Sequence, residues 1–269
     1  MNYSELIRRR RSVRTFDSRS IEPGILNNIL GYAQKAENPY GQNIEWKILN
    51  SKNDGVSSAV IVGTDTFIAG KMKRAVHAEE AFGYSFEKVV LYAQSLGIGT
   101  TWIAGTMTRA AFEKAVALND NEVLPCVSPL GYPSEKMSVR ETMMRAGIKA
   151  DTRLSFRELF FDSSFNRPLP EDKAGDLKLP LELVRCSPSA VNKQPWRAVV
   201  DGDLVYFYEK HSKGYVTNGW DTQKVDMGIA LYHFVCGLEK IGRKAEFVLA
   251  DPNIPCEHDT EYIASFVMK

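Results

Sequence analysis

Five arginines lie within seven residues near the start of the chain, at positions 8–11 and 14. No acidic residue occurs from position 6 to 16. If this segment is extended, Arg10, Ser12 and Arg14 project to the same side and form a cradle of two guanidinium groups and one hydroxyl. Guanidinium groups bind phosphate oxygens through paired, charge-assisted hydrogen bonds. The segment therefore predicts a local anion site, and a phosphate suits it best.

A basic run is also typical of nuclear-import and nucleic-acid sites. Here the run lacks the basic surround and the interleaved aromatic residues that support such an interpretation. A nucleic-acid binder, which would be retained on DNA in a steeply salt-dependent way, is the third hypothesis for this chain. A twin-arginine export signal would need an apolar segment next, but residues 15–20 read Thr-Phe-Asp-Ser-Arg-Ser.

A second pattern, Ser-Pro-Ser-Ala-Val-Asn-Lys-Gln-Pro-Trp, occupies positions 187–196. Its two prolines and short polar side chains indicate a fixed loop that offers hydroxyl and amide groups at set positions. Such a loop suits a flat ligand with several hydrogen-bonding groups along its edge. A helix C-terminal turn that carries a buried tryptophan explains the composition equally well.

A third pattern, Leu-Gly-Ile-Gly-Thr-Thr-Trp-Ile-Ala-Gly, spans residues 96–105. It is not a dinucleotide fingerprint, because Trp102 stands where the third glycine is required and a helix is predicted before it rather than a strand. The remaining interpretation of this segment is a loop of small residues that exposes backbone N–H groups to a planar partner.

Periodicity predicts the elements that position these segments. Helices are expected after Ile21, over 82–96 and over 109–118, and strands over 46–49, 59–62 and 126–130. Residues 83–97 and 228–242 have equal length and matching end glycines, 145 positions apart, while Trp46-Lys47 matches Trp196-Arg197 at an offset of 150. These two matches favour a duplicated unit, although two amphipathic helices can resemble each other without common descent.

The composition fits a soluble globular protein, with 269 residues, 44% hydrophobic residues and a net charge of +1. Four dispersed cysteines without a C-x-x-C pair, and no recognisable signal peptide, favour the reducing cytoplasm. The four histidines lack metal-ligand spacing, so no metal site is expected. The longest weakly polar stretch, 89–107, is too polar to span a membrane.

In combination, the Arg-x-Ser-x-Arg motif, the Ser/Asn loop, the 96–105 segment and Leu-Gly-Tyr-Pro at 130–133 resemble the FMN-dependent nitroreductase family. The resemblance implies an α+β fold, an α-β-α sandwich around a central, mainly antiparallel sheet. In usual family members the Ser/Asn loop follows the arginine motif closely, whereas here it lies in the second half of the chain. The resemblance therefore implies the fused-half subgroup, a monomer in which two degenerate halves, 1–165 and 166–269, form an intramolecular pseudo-dimer.

The same resemblance implies where FMN would bind. Arg10, Ser12 and Arg153 would hold the phosphate, with Arg11 beside them, and Arg14 would lie near the N1/O2 edge of the ring system. The backbone N–H groups of Ala104 and Gly105 would meet N5 and O4. The remaining contacts would come from the second half, at Ser187, Pro188, Ser189, Asn192 and Gln194.

The activity implied is that of an FMN-dependent NAD(P)H oxidoreductase. NADH or NADPH would deliver two electrons through flavin N5 to a small-molecule acceptor, a nitroaromatic or a quinone, by an alternating mechanism. No protein acid or base is assigned, because the chemistry belongs to the cofactor. The alternative is a flavin carrier or sensor without turnover, in which the bulky Trp102 crowds the substrate face.

Overall fold

The computed structural model describes residues 1–217 and 219–269. The chain forms two compact units: Met1 with Arg9–Ala150, and Asn2–Arg8 with Asp151–Lys269. Residues 151–165, which precede the predicted boundary at 165, thus belong to the second unit. No helix in the described part of the chain is long and apolar enough to cross a lipid bilayer.

Helices flank two separate sheets, one in each unit. The α-helices are α1 Tyr3–Arg9, α2 Pro23–Ala33, α3 Ser51–Asp54, α4 Ala78–Ser95, α5 Arg109–Ala115, α6 Val139–Gly147, α7 Phe156–Leu159, α8 Lys178–Arg185 and α9 Thr222–Lys240. The strands are β1 Ile44–Asn50, β2 Thr66–Lys73, β3 Glu122–Val123, β4 Val127–Leu130, β5 Phe160–Asp162, β6 Trp196–Asp201, β7 Leu204–Lys210, β8 Val216–Thr217, β9 Trp220–Asp221, β10 Ala245–Val248 and β11 Thr260–Met268.

The sheet of the first unit is antiparallel throughout. In it β2 pairs with β1 on one side and with β3 and β4 on the other. The sheet of the second unit has the order β10-β11-β7-β6-β5, in which only β5 and β6 run parallel. A β8–β9 hairpin stands apart from it. The predicted α+β class with mainly antiparallel sheets is confirmed.

The two units repeat one order of elements. In the first, α2 is followed by the antiparallel pair β1–β2, then by the long helix α4, and later by β4, which pairs with β2. In the second, α8 precedes the pair β6–β7, the long helix α9 and finally β11, which pairs with β7. This order agrees with the duplicated unit suggested by the sequence matches. That each unit corresponds to one subunit of a dimer stays a prediction.

Both long helices are buried around most of their circumference, and each buries polar as well as apolar side chains. On α4, Phe82 and Phe86 are fully buried, and the Trp46 ring of β1 lies 5.8 and 5.1 Å from their ring centres. On α9, Gly237 lets α8 approach closely, since a β-carbon there would lie 2.4 Å from the Pro180 Cα. Each sheet is therefore covered by a tightly packed helix.

One predicted strand is wrong, and β2, the central strand of the first unit's sheet, is among the strands that escaped prediction. Residues 59 and 60 lie in a turn, and Val62 makes a single bridge to Thr15 and is 51% exposed. The strand lies instead at Thr66–Lys73. Its pattern is obscured by Lys71, a charged residue that is buried because its Nζ donates to Glu122 Oε2 at 2.9 Å.

Candidate functional site

Arg8 and Arg9 end helix α1, and from Arg10 the chain leaves the helix and then makes backbone hydrogen bonds to two other segments, at Val13 and Arg14. Val13 is buried, and its N–H donates to the Thr100 carbonyl oxygen at 2.9 Å, so the segment lies along the 96–105 loop. Because alternate residues of an extended chain face opposite ways, the burial of Val13 leaves its neighbours on the other face. The three predicted anion-binding side chains are all half-buried there: Arg10, Ser12 and Arg14.

A buried carboxylate lies against this segment and was missed by the sequence reasoning. Glu141 on α6 is 1% exposed; its Oε2 accepts a hydrogen bond from Thr15 Oγ1 at 2.7 Å, and Arg11 Nη1 lies 3.5 Å from its Oε1. Burial lowers the pKa of Arg14, while the Glu141 charge opposes that shift. Arginine stays protonated in any case. Arg11 therefore neutralises Glu141, and the segment carries a surplus of positive charge.

A pocket of about 190 Å³ opens between the arginine segment and the small-residue loop. Its lining includes Arg9–Arg11, Val13, Gly97–Thr100 and Pro133. Gly99 makes this approach feasible, since a β-carbon there would lie 3.0 Å from Pro133 Cγ and 3.1 Å from Val13 Cβ. The pocket offers an anion of phosphate size a set of guanidinium donors.

Hydrogen bonds from the Arg109 side chain hold the backbone next to the turn at Ala104 and Gly105. Arg109 donates from Nη2 to the Ala104 carbonyl oxygen at 3.2 Å and from Nη1 to that of Leu124 at 2.8 Å. Within residues 1–217 and 219–269, the backbone N–H groups of Ala104 and Gly105 donate to no acceptor. A β-carbon on Gly105 would meet no atom within 4 Å. These two N–H groups thus have no acceptor in the described part of the chain, and their contact with flavin N5 and O4 stays a prediction.

Trp102 is turned toward α4. Its Nε1 donates to Glu87 Oε2 at 3.2 Å, and its ring meets that of Phe86 edge-on at 4.8 Å. Glu87 is fully buried, so the indole N–H satisfies part of a desolvated carboxylate. The contacts of Trp102 are those of a packing residue and lend no support to a crowded cofactor face.

The Ser/Asn loop of the second unit is strained. Val191, Asn192 and Gln194 have φ values of 50°, 56° and 53°, in the left-handed region. That region is costly for residues with a β-carbon and most of all for β-branched ones. The Ser189 hydroxyl accepts a hydrogen bond from the Gln194 N–H at 2.8 Å and helps to impose the shape. Strain of this kind concentrates at functional sites, where the surrounding structure maintains it.

Two buried side chains of α9, Asp226 and His233, hold the Ser/Asn loop by hydrogen bonds, and no sequence motif predicted either of them. Asp226 Oδ2 accepts a hydrogen bond from the Ala190 N–H at 3.0 Å, and burial raises the pKa of Asp226 well above its ordinary value. The Ser187 hydroxyl is fully buried and lies 2.8 Å from His233 Nδ1. The Ser187 side chain therefore anchors the loop, and its hydroxyl faces the protein interior.

Arg153 lies beside the loop within the same unit. Its Nη1 donates to Asn192 Oδ1 at 3.4 Å, while Asn192 Nδ2 donates to the Thr152 carbonyl oxygen at 3.1 Å. The Leu154 N–H donates to Gln194 Oε1 at 2.9 Å. Asn192 is thus bonded directly to the predicted phosphate arginine, and the buried Gln194 braces the neighbouring backbone at Leu154. Pro188 and Ser189 are partly exposed.

The predicted set divides equally between the two units. The first unit contains Arg10, Arg11, Ser12, Arg14, Ala104 and Gly105, and the second contains Arg153, Ser187, Pro188, Ser189, Asn192 and Gln194. In the first unit Arg10 and Arg11 line the pocket beside the small-residue loop, whereas the pocket lining does not include Ser12, Arg14, Ala104 or Gly105. In the second unit Arg153 borders Asn192.

The protein family that matches this chain, and a solved structure similar to it, agree with the fold described above. The family described as "Putative TM nitroreductase" matches residues 2–238, so the chain belongs to that nitroreductase family. A putative nitroreductase from Thermotoga maritima MSB8 is 18% identical, covers 100% of this chain and 93% of its own, and superposes with a TM-score of 0.65. That likeness shows the nitroreductase fold. No curated protein matches the sequence.

Two further solved structures match more partially. A nitroreductase family protein from Clostridium difficile 630 is 19% identical over 59% of this chain and 96% of its own, with a TM-score of 0.46. An FMN-dependent nitroreductase from Clostridium difficile R20291 is 17% identical over 49% of this chain and 88% of its own, with a TM-score of 0.41. Superpositions this partial add nothing to the fold assignment.

Proposed function

We propose that this protein is an FMN-dependent NAD(P)H oxidoreductase that reduces small-molecule acceptors such as nitroaromatics or quinones. The observation that carries the proposal is the strained Ser/Asn loop, which holds the Asn192 amide beside Arg153 in a backbone conformation that costs free energy. Family membership supports an oxidoreductase. The FMN-dependent relative from Clostridium difficile agrees with the cofactor.

The residues present fit FMN chemically. The phosphate needs cationic donors, which Arg10 and the other arginines of the pocket would supply in one unit and Arg153 in the other, with the Ser12 hydroxyl as a neutral donor. The oxidised ring has acceptors at N5 and O4, and the N–H groups of Ala104 and Gly105 donate to no other described acceptor. The proposed set spans both units, because each half retains one motif and lacks the other.

When bound, FMN supplies the redox chemistry by taking two electrons from a nicotinamide and passing them to an acceptor. The protein contributes orientation and electrostatics. Arg14 would place a fixed positive charge near the N1/O2 edge, where negative charge develops upon reduction. Asn192 would direct its amide from a loop that Asp226 and Gln194 keep in shape.

The absorbance spectrum of the purified full chain tests the cofactor. We expect one FMN per chain, and colourless protein whose melting temperature does not respond to added FMN would refute the proposal. Arg14→Ala and Asn192→Ala should each weaken FMN binding, although they lie in different units. Exposed residues serve as matched controls, and Arg157→Ala and Asn28→Ala should leave FMN affinity unchanged. Full FMN occupancy in Asn192→Ala would contradict a site that draws on both halves.

Turnover is tested separately from binding. Under anaerobic conditions NADH or NADPH should bleach the flavin absorbance, and a nitroaromatic or a quinone should restore it. Arg14→Ala should slow bleaching even when FMN is saturating, because the loss of the cation makes reduction less favourable. Bound flavin that neither nicotinamide bleaches would refute the oxidoreductase and favour a flavin carrier.

A further inference from the structure

Three side chains with metal-ligand atoms meet in the second unit, where β7 ends and α9 begins. Glu209 lies on β7, His211 follows that strand, and Asp221 is the N-cap of α9. One ligand atom of each lies within 4.8 Å of the other two. His211 Nδ1 is 2.7 Å from Glu209 Oε1 and 3.8 Å from Asp221 Oδ2. Neighbouring ligands of one tetrahedral zinc ion are about 3.3 Å apart, given bonds of ~2.0–2.1 Å.

The two carboxylates of this cluster are desolvated. Glu209 is 0% exposed and Asp221 is 7% exposed. Two such groups repel each other, and burial makes each charge more costly. Buried charges in proteins are paired with an opposite charge or coordinate a metal. The two carboxylates therefore make the position beside His211 Nδ1 a favourable place for positive charge.

The orientation of His211 is the second, independent observation. Its Nε2 lies 3.0 Å from Glu261 Oε2, and Lys224 Nζ holds the other oxygen of that carboxylate at 3.2 Å. A metal-ligating histidine commonly donates its distal N–H to a carboxylate in this way, which fixes the ring and its tautomer. The 2.7 Å distance between His211 Nδ1 and Glu209 Oε1 fits either a hydrogen bond from the ring to the carboxylate or a metal ion bound by both atoms, and the second arrangement is the one proposed below.

We propose that Glu209, His211 and Asp221 bind one divalent transition-metal ion, Zn²⁺ in preference to Mg²⁺ or Ca²⁺. An imidazole nitrogen combined with carboxylate oxygens suits zinc, whereas magnesium and calcium take oxygen ligands. Glu261 orients the histidine, and water completes the coordination. The ion fastens the end of β7 to the start of α9, the helix whose Asp226 supports the Ser/Asn loop.

The histidine-spacing rules missed this site for a structural reason. They search for ligands close together on one helix or knuckle, whereas Asp221 stands ten residues beyond His211, at the end of the β8–β9 hairpin. The proposal does not depend on flavin binding.

The full chain, treated with a chelator and then dialysed, is titrated with ZnCl₂ in a calorimeter, and bound metal is counted by elemental analysis. We expect one zinc ion per chain and a melting temperature that rises with zinc concentration. Glu261→Gln should weaken zinc binding by about 10–100-fold, and His211→Gln by more, since it removes a ligand. His258→Gln is the matched control, because His258 is exposed in the same unit and outside the cluster, and it should bind zinc normally.

Cobalt(II) identifies the ligand atoms. We expect visible bands typical of nitrogen and oxygen ligands without a thiolate charge-transfer band; such a band would place the metal on a cysteine and overturn the proposal. Absence of zinc binding at micromolar concentrations would also overturn it, and would mean that protonated His211 neutralises the carboxylates unaided. Zinc binding that persists unchanged in His211→Gln would also overturn the proposal. Should His211→Gln fail to fold, Glu261→Gln decides the matter.

Discussion

Replacement of Val191 by glycine should stabilise the protein although it removes a side chain. At φ 50° a residue with a β-carbon loses roughly 1–2 kcal/mol, which glycine avoids. Glycine also makes the unfolded chain more flexible, at a cost of about 0.4–1 kcal/mol. The Val191 side chain is 56% exposed, so little packing is lost. The expected net gain in the free energy of unfolding is about 0.5–1 kcal/mol, or about 1–4 °C in melting temperature.

Chemical and thermal denaturation of the cofactor-free protein measure this gain against two controls in the same loop. Val191→Ala keeps a β-carbon and should change stability little. Lys193→Gly introduces glycine at a conventional φ of −70° and should lose about 0.4–1 kcal/mol. Equal losses in Val191→Gly and Lys193→Gly would refute the claim that the loop stores strain.

The same variant separates stability from binding. If the strained loop is arranged in advance for FMN, Val191→Gly must restore order on binding and should weaken FMN affinity by about two- to fivefold, the equivalent of about 0.4–1 kcal/mol. Stability should thus rise while affinity falls, as in other sites that are strained for function. A variant that gains stability and binds FMN as well as the wild type would show that the strain serves no cofactor.

Two further predictions concern packing and charge. Gly237→Ala should lower the free energy of unfolding by about 1–3 kcal/mol, because its β-carbon would overlap the backbone of Pro180. Gly31→Ala, on α2, should raise it by about 0.5–1 kcal/mol in the same denaturation assay, because the new β-carbon would meet no atom within 4 Å. The hydrogen bond from Lys71 lowers the pKa of Glu122. The pair therefore stabilises the fold above the ordinary glutamate pKa of about 4.3, and that stability is lost as the pH falls through the lower, folded value. Glu122→Gln should cost about 1–3 kcal/mol at neutral pH and much less at about pH 3; a difference that does not vary with pH would contradict the assignment.

Local patterns sufficed where a segment determines its own conformation. The apolar stripe from Phe82 to Leu96 predicted α4, and Gly97 ends that helix with a φ of 77°. Local patterns failed at β2, where Gly70 and Lys71 interrupt the alternation typical of a strand. Gly70 is required by the Trp46 ring, 2.5 Å from where its β-carbon would lie, and Lys71 by Glu122. Both partners are distant in sequence, so no window along the chain could reveal them.

The residues of the candidate site also fall into two groups, those that a local motif predicts and those that only the fold identifies. Arg10, Ser12 and the Ser/Asn loop could be identified because they form short motifs with defined spacing. The side chains that hold them, Glu141 and Asp226, carry no local signal, since each is a lone acidic residue on a helix. Their importance follows from burial together with a hydrogen bond to a distant segment, and only the fold supplies that information.

The two units offer an internal comparison that bears on the function. In the first unit the position equivalent to the Ser/Asn loop is a turn before β1, in which Asn38 bonds to Gln42 and to Ser85 of α4, and the left-handed position is occupied by Gly41. That turn is relaxed, because glycine adopts a φ of 66° at no steric cost. In the second unit, three residues with β-carbons take left-handed conformations at the corresponding place, and α9 supports them. Connecting two elements does not require strain, as this turn of the first unit shows, so the strain at the corresponding position of the second unit requires another cause. The proposed FMN site supplies one, since it uses the loop of the second unit and leaves that of the first without a ligand.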